Sequence, residues 1–282
     1  MVREAIALKL PIAWRTPPAS GPDTHAAIER LHDSRYVHAV CSGEPRKLAE
    51  SQGFRWSRGF AQSVLDIWEG QTAACGLAAA GASVVIHPIS GAHHASVSHG
   101  SGFCTFNWLV GVVPALPDDV DVIVLDYDAH YGDGTVACLQ ACAWANRVRV
   151  VDIFGTWRAR GIATGGYDED VTANGVFLGV GNAEDYRFAV DRGEQMLATW
   201  TADTRARGRR PIVVYQAGVD PYEHDRVGGI AGVTAAVLAK RDARVFASTR
   251  HLGVPIVVVL AGGYSADCVP LHVTTLRTAT TT

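Results

Sequence analysis

Four short runs of Val, Ile and Leu constrain this chain more than any other feature. They lie at 83–86, 122–125, 211–215 and 255–260, and each is apolar on both faces. A strand with one wet face alternates polar and apolar residues, whereas an unbroken apolar run belongs to a sheet covered on both sides. Between these runs lie segments of helical character at 61–80, 134–145, 183–205 and 231–251. That alternation predicts a doubly wound α/β fold, a three-layer α/β/α sandwich with a mostly parallel central sheet. The 282 residues, 48% of them hydrophobic, suffice for one large core. No internal linker divides them, so residues 1–282 are expected to form a single domain.

The formal net charge of -3 arises from 25 basic and 28 acidic residues scattered along the chain. Only 205–210 forms a short basic cluster, so no nucleic-acid footprint is expected. The cysteines Cys41, Cys75, Cys104, Cys138, Cys142 and Cys268 include no CxxC pair and are read as reduced, mostly buried thiols. Arg3, Glu4 and Lys9 break the apolar character of the N-terminus, and no apolar run approaches the roughly 20 residues needed to cross a bilayer. A cytoplasmic protein is expected. The Pro/Gly-rich segment 17–22 reads as a loop, and 274–282 as a Thr-rich low-complexity end.

In open α/β sheets the ligand site lies beyond the carboxyl ends of the strands. Each predicted strand runs into chemistry there: His93 and His94 after the first, Asp126, Asp128 and His130 after the second, Asp220 after the third, Tyr264 after the fourth. The two-residue spacing of Asp126, Asp128 and His130 puts those side chains on one face of an extended backbone. With Asp220 from another strand end, Asp128 and His130 make an open three-ligand metal site. Three protein ligands with room for water suit a catalytic zinc, and the mixed oxygen and nitrogen set also accepts Fe(II). Taken alone, a D-x-H after a strand is more often a capping turn; the distant Asp220 and the histidine pair favour the metal.

Gly91-Ala92-His93-His94-Ala95, Ser101-Gly102-Phe103-Cys104-Thr105-Phe106-Asn107, the Asp126–Thr135 stretch, Gln216-Ala217-Gly218-Val219-Asp220 and Ala261-Gly262-Gly263-Tyr264 stand in the order of histone-deacetylase signatures. The chain resembles that family, within the arginase/deacetylase superfamily, and Asp225-Arg226-Val227-Gly228-Gly229 is similar to its class IV and bacterial branch. The resemblance implies a zinc-dependent deacetylase acting on N-acyl amines such as acetyl-lysine. It implies that Asp128, His130 and Asp220 bind zinc, that His93 and His94 act in proton transfer, and that Tyr264 hydrogen-bonds the substrate carbonyl. It further implies that Asp126 and Asp133 orient the two histidines, that Gly102 and Phe103 line the acyl-lysine channel, and that a structural potassium ion sits near Asp126.

The chain departs from the family at Tyr131, where many members carry a second histidine, and across 154–166, which lacks the usual Phe-Pro-Gly-Thr-Gly stretch and leaves the second channel wall unidentified. The early loop 53–57 has no rim aspartate to hold a peptide backbone. Two alternatives stay open. Asp128-Ala129-His130 followed by Asp133 is similar to an element of binuclear manganese ureohydrolases, although glycine at 218 withholds one of their carboxylates. An inactive acyl-lysine-binding module is the other. Asp133 also reads as a cap for the helix that follows, and Phe103 as a core residue.

Overall fold

The computed structural model describes residues 2–156 and 166–281. Its strands are β1 (Val84–His87), β2 (Val120–Asp126), β3 (Val148–Gly155), β4 (Asp168–Val171), β5 (Gly175–Val180), β6 (Arg210–Gln216) and β7 (Ile256–Val259). They form one sheet of order β1-β7-β6-β2-β3-β5-β4. Every pairing is parallel except β4 with β5, which is antiparallel.

Side-chain alternation along these strands feeds two separate cores, because successive residues of a strand point to opposite faces. Val122, Val124, Val150, Ile212, Val214 and Val257 pack with the helices Pro22–Glu29, Ser34–Ser42 and Arg58–Ala79. Ile123, Leu125, Val151, Val213, Tyr215 and Ile256 pack with Ala183–Ala206, Ala235–Leu252 and Cys268–Thr281 on the other face. Each fully buried side chain of this kind contributes about 1.5–3 kcal/mol of transfer free energy. The helices are capped where they begin: Ser57 accepts from Phe60 N–H, Asn182 from Glu184 and Asp185 N–H, and Thr234 from Val237 N–H.

All four predicted strands form, but β1 lies at a sheet edge with Val84 exposed rather than covered. β3, β4 and β5 escaped the sequence reading. The helix expected at 231–251 begins only at Ala235, because Gly232 takes a left-handed φ of 74° before the Thr234 cap. The one expected at 134–145 stops at Ala141, where Cys142 turns extended. The Thr-rich end is no low-complexity tail: through Thr281 it belongs to the helix Cys268–Thr281, whose Thr275 is buried.

The register brings the carboxyl ends level. Asp126 of β2 pairs with Gln216 of β6, Gln216 with Val259 of β7, and Val259 with His87 of β1. From β2 the chain moves outward to β3 on one side and later returns to β6 on the other, so loops diverge above β2 and leave a crevice there.

Candidate active site

Beyond the end of β2 the backbone stays non-helical, and Asp128 and His130 turn toward the same point as Asp220 from the turn after β6. One ligand atom from each lies within 4.8 Å of the others. His130 Nδ1 is 2.9 Å from Asp128 Oδ1 and 3.0 Å from Asp220 Oδ2. A single nitrogen cannot satisfy both, and Asp220 Oδ2, on a residue with no exposed surface, is left without a hydrogen-bond donor. The remaining carboxylate oxygens are held by backbone: Gly262 N–H donates to Asp128 Oδ2 and Ala129 N–H to Asp220 Oδ1, each at 3.0 Å.

Two buried carboxylates demand a compensating positive charge. His130 is placed to supply it: burial works against its charged form, but Asp128 and Asp220 raise its pKa to about 10. Burial and the Asp128 charge push the Asp220 carboxyl up to about 7. These atoms form a cradle that a cation fits, since it would neutralise both carboxylates and occupy the orphaned Asp220 oxygen.

The adjacent histidines stand in different surroundings. His93 Nδ1 lies 2.9 Å from Asp126 Oδ2, and Asp126 Oδ1 accepts from the Gln216 amide at 2.7 Å. His94 Nδ1 lies 2.7 Å from Asp133 Oδ1. Burial depresses both rings, yet Asp126 and Asp128 hold His93 well above the usual histidine range, whereas burial and the neighbouring His93 charge leave His94 below it. Asp133 is the first residue of its helix, after Gly132; its Oδ1 accepts from the Gly134 N–H of the first turn at 2.9 Å and also lies against His94, so the helix-start and histidine-orienting roles coexist.

Gly102 adopts φ 50°, and a Cβ there would meet the His94 ring at 2.3 Å. Phe103, also left-handed at φ 65°, is 45% exposed, so it is a mouth residue and not a core one. Its ring sits 5.3 Å from Phe54 and 6.2 Å from Tyr264. Tyr264 is 37% exposed, its ring is 6.3 Å from His130, and its backbone N–H donates to Asp225 Oδ2 at 2.7 Å. Burial and the Asp128 and Asp220 charges raise its phenol, keeping the O–H. Phe54 and Phe103 also line a largely apolar cavity of about 220 Å³, with Phe106, Trp108 and Gly91. Tyr131 packs on Phe154 and Phe177. Of the stretch expected to supply the second channel wall, 157–165 lies outside the described residues.

Sequence reasoning passed over two buried acids. Asp225 accepts from Val227 and Gly228 N–H and so anchors the loop under Tyr264; its sequence neighbourhood was noted but not its role. Asp152 sits opposite Asp126 in the β2–β3 register and accepts from Gly132 N–H, while its Oδ1 has no partner. Burial and Asp126 raise it well above the ordinary carboxylate range.

With this geometry in place, comparison with known proteins gives the family. Residues 12–279 match the family described as histone deacetylase domain. The chain belongs to the histone deacetylase family. An uncharacterized protein of Picosynechococcus sp. is 27% identical over 252 residues, 87% of this chain and 77% of that one. Histone deacetylase 2 of Arabidopsis thaliana is 26% identical over 184 residues, and a probable deacetylase of Archaeoglobus fulgidus 28% over 186. Each of those alignments spans 62% of this chain, but only 42% and 48% of the respective relatives. Among solved structures, an acetylpolyamine aminohydrolase from Burkholderia pseudomallei superposes with a TM-score of 0.70 at 22% identity, over 99% of this chain and 86% of that one. The HD domain of HDA15 gives 0.69 at 17%, over 93% and 73%. The deacetylase fold is thus shared with both, and family membership makes the chain a hydrolase of amide bonds.

Proposed function

We propose that this single catalytic domain is a metal-dependent deacetylase that hydrolyses N-acyl amines such as acetyl-lysine, with Asp128, His130 and Asp220 holding one zinc-class cation. The observation that carries the reading is the convergence of those three ligand atoms within 4.8 Å around a buried carboxylate oxygen that lacks a donor. Two carboxylates and one imidazole suit zinc with an open position and also accept Fe(II). A cation held there would acidify a water molecule and polarise the acyl carbonyl.

His94 takes the water proton and later passes it to the leaving amine, a role suited to a ring kept neutral at pH 7. Asp133 on Nδ1 fixes the ring so that Nε2 faces the reaction. His93, kept charged by Asp126, gives electrostatic support and helps to position the water. Opposite pKa shifts on neighbouring groups separate their roles. Tyr264 donates its phenol O–H to the carbonyl oxygen as charge grows there, which stabilises the transition state more than the ground state. Gly102 and Phe103 line the entry, and the aromatic mouth favours an extended, uncharged acyl-amine stem. Asp126 and the unpartnered Asp152 Oδ1 offer oxygens to a structural potassium ion.

Among the described residues these three form the one group of three or more His, Cys, Asp or Glu side chains close enough to share an ion, which supports one catalytic ion rather than the two of a ureohydrolase. The test is hydrolysis of acyl-lysine peptides, acetylpolyamines and N-acetyl amino acids by metal-reconstituted protein, with metal analysis. One zinc-class ion per chain, lost together with activity on chelation, is expected. Two tightly bound manganese ions, or full activity after complete metal removal, would overturn the reading.

A further inference from the structure

The ligand-bearing turns rest on a buried cation from a distant helix. Arg241, on Ala235–Leu252, is 2% exposed, yet it sits under the sheet end that carries the site. Its Nη1 donates to the Gly218 carbonyl at 2.6 Å and lies 3.3 Å from the Tyr127 carbonyl and 3.1 Å from the Tyr186 hydroxyl. Its Nε and Nη2 face Asp242 Oδ1 at 2.9 and 2.8 Å. Asp242 in turn accepts from the Tyr215 and Thr275 hydroxyls, both at 2.6 Å.

The two carbonyls belong to the peptide planes that set the ligands. Tyr127 precedes Asp128, and the Asp128 N–H on the far side of that plane points to Asp126 at 3.3 Å. Gly218 lies two residues before Asp220, and the Val219 N–H of that plane donates to the Gly262 carbonyl at 2.8 Å. Gly262 N–H closes the circuit on Asp128 Oδ2. One guanidinium therefore fixes the turns after β2 and β6 relative to each other. A rigid planar fork does this, while the compact ammonium of lysine cannot reach both carbonyls and Asp242 together.

We infer that Arg241 is a positioning residue for the metal site, setting the separation of Asp128 and Asp220 through their backbone. The inference rests on the metal reading above. Groups behind a ligand set typically change metal affinity 10–100-fold when removed. Removing Arg241 alone would strand the buried Asp242 charge, so two variants are used: Arg241→Lys, and Arg241→Met combined with Asp242→Asn. Zinc affinity is measured by competition with a chromophoric chelator, and metal-free thermal unfolding is recorded beside it. Zinc dissociation constants at least tenfold above wild type are expected in both variants, with the lysine variant the less affected. A lowered melting temperature with wild-type zinc affinity in either variant assigns Arg241 to core stability alone and overturns the inference. Should the double variant fail to fold, the lysine variant decides by the same criterion. Absence of zinc binding in the wild type itself would remove the metal reading, and this role with it.

Discussion

Gly262→Ala tests the cation cradle most directly. Gly262 does not adopt a left-handed φ, so alanine suits its backbone, and the effect comes from the added methyl group alone. That carbon would lie 2.4 Å from Asp220 Oδ2 and 2.6 Å from Asp128 Oδ2, the oxygens on either side of the site. Ordinary contact begins near 3.4 Å, so the oxygens must retreat by roughly 0.8–1 Å. Metal–ligand distances tolerate only about 0.2 Å. A loss of at least about a hundredfold in zinc affinity follows, on the order of 2.8 kcal/mol. Chelator competition measures it, with Gly76→Ala as control because nothing lies within 4 Å of a Cβ at that position. Zinc affinity within about threefold of wild type, in a folded Gly262→Ala protein, would show that these oxygens do not hold the ion.

His94→Ala is expected to lower kcat/KM more than His93→Ala, by more than the roughly 10²–10⁴ typical of general acid–base catalysis, with zinc content unchanged; equal losses, or a larger one at His93, contradict the assignment. Tyr264→Phe should cost about a hundredfold or more in kcat at constant metal content, and unchanged turnover removes the phenol from catalysis. A hydroxamate should inhibit competitively, and failure at millimolar concentration with zinc bound counts against an open metal position. Burial lowers His32, His87 and His272 to about 4. Because the unfolded chain takes up these protons near 6.5 and the folded one near 4, the contribution of each falls as pH drops across that window, by on the order of 3 kcal/mol at most, while His93 and His130, raised in the folded state, act in the opposite sense. Urea unfolding of wild type and His87→Gln at pH 7 and pH 5 checks this: the variant should lose less stability between the two, and an identical pH dependence refutes it.

The site was more legible in the sequence than the sheet. Strand-end logic pointed to His93, Asp128, His130, Asp220 and Tyr264 because parallel topology sends every such end to one edge, and the structure brings these residues together there. β3 escaped because Arg149 and Asp152 interrupt its apolar run, and β5 because Gly175 and Gly179 weaken it. Both are buried by neighbouring strands, a tertiary effect that local patterning does not record. The C-terminal helix was hidden by threonine, a poor helix former. There the hydroxyls of Thr274 and Thr281 donate to carbonyls four residues back, and packing on the helix Ala235–Leu252 supplies what propensity does not. Asp152 carries no motif, and the stretch that begins at Asp225 marked a resemblance without a role for that side chain; only folding reveals what the two acids face.

The contacts that hold the ligands run far along the chain: Ala129 to Asp220 spans 91 positions, and Gly262 to Asp128 spans 134. No short fragment contains the ligand set, and in an unfolded chain its members are separated by long loops whose closure must be met before any contact rewards it. A cation held there as proposed would find its complete site only once β2, β6 and β7 have paired. Its binding would then add RT ln(1 + [L]/Kd) to the unfolding of the entire sheet rather than to one loop, and metal supply would bear on how much folded protein persists.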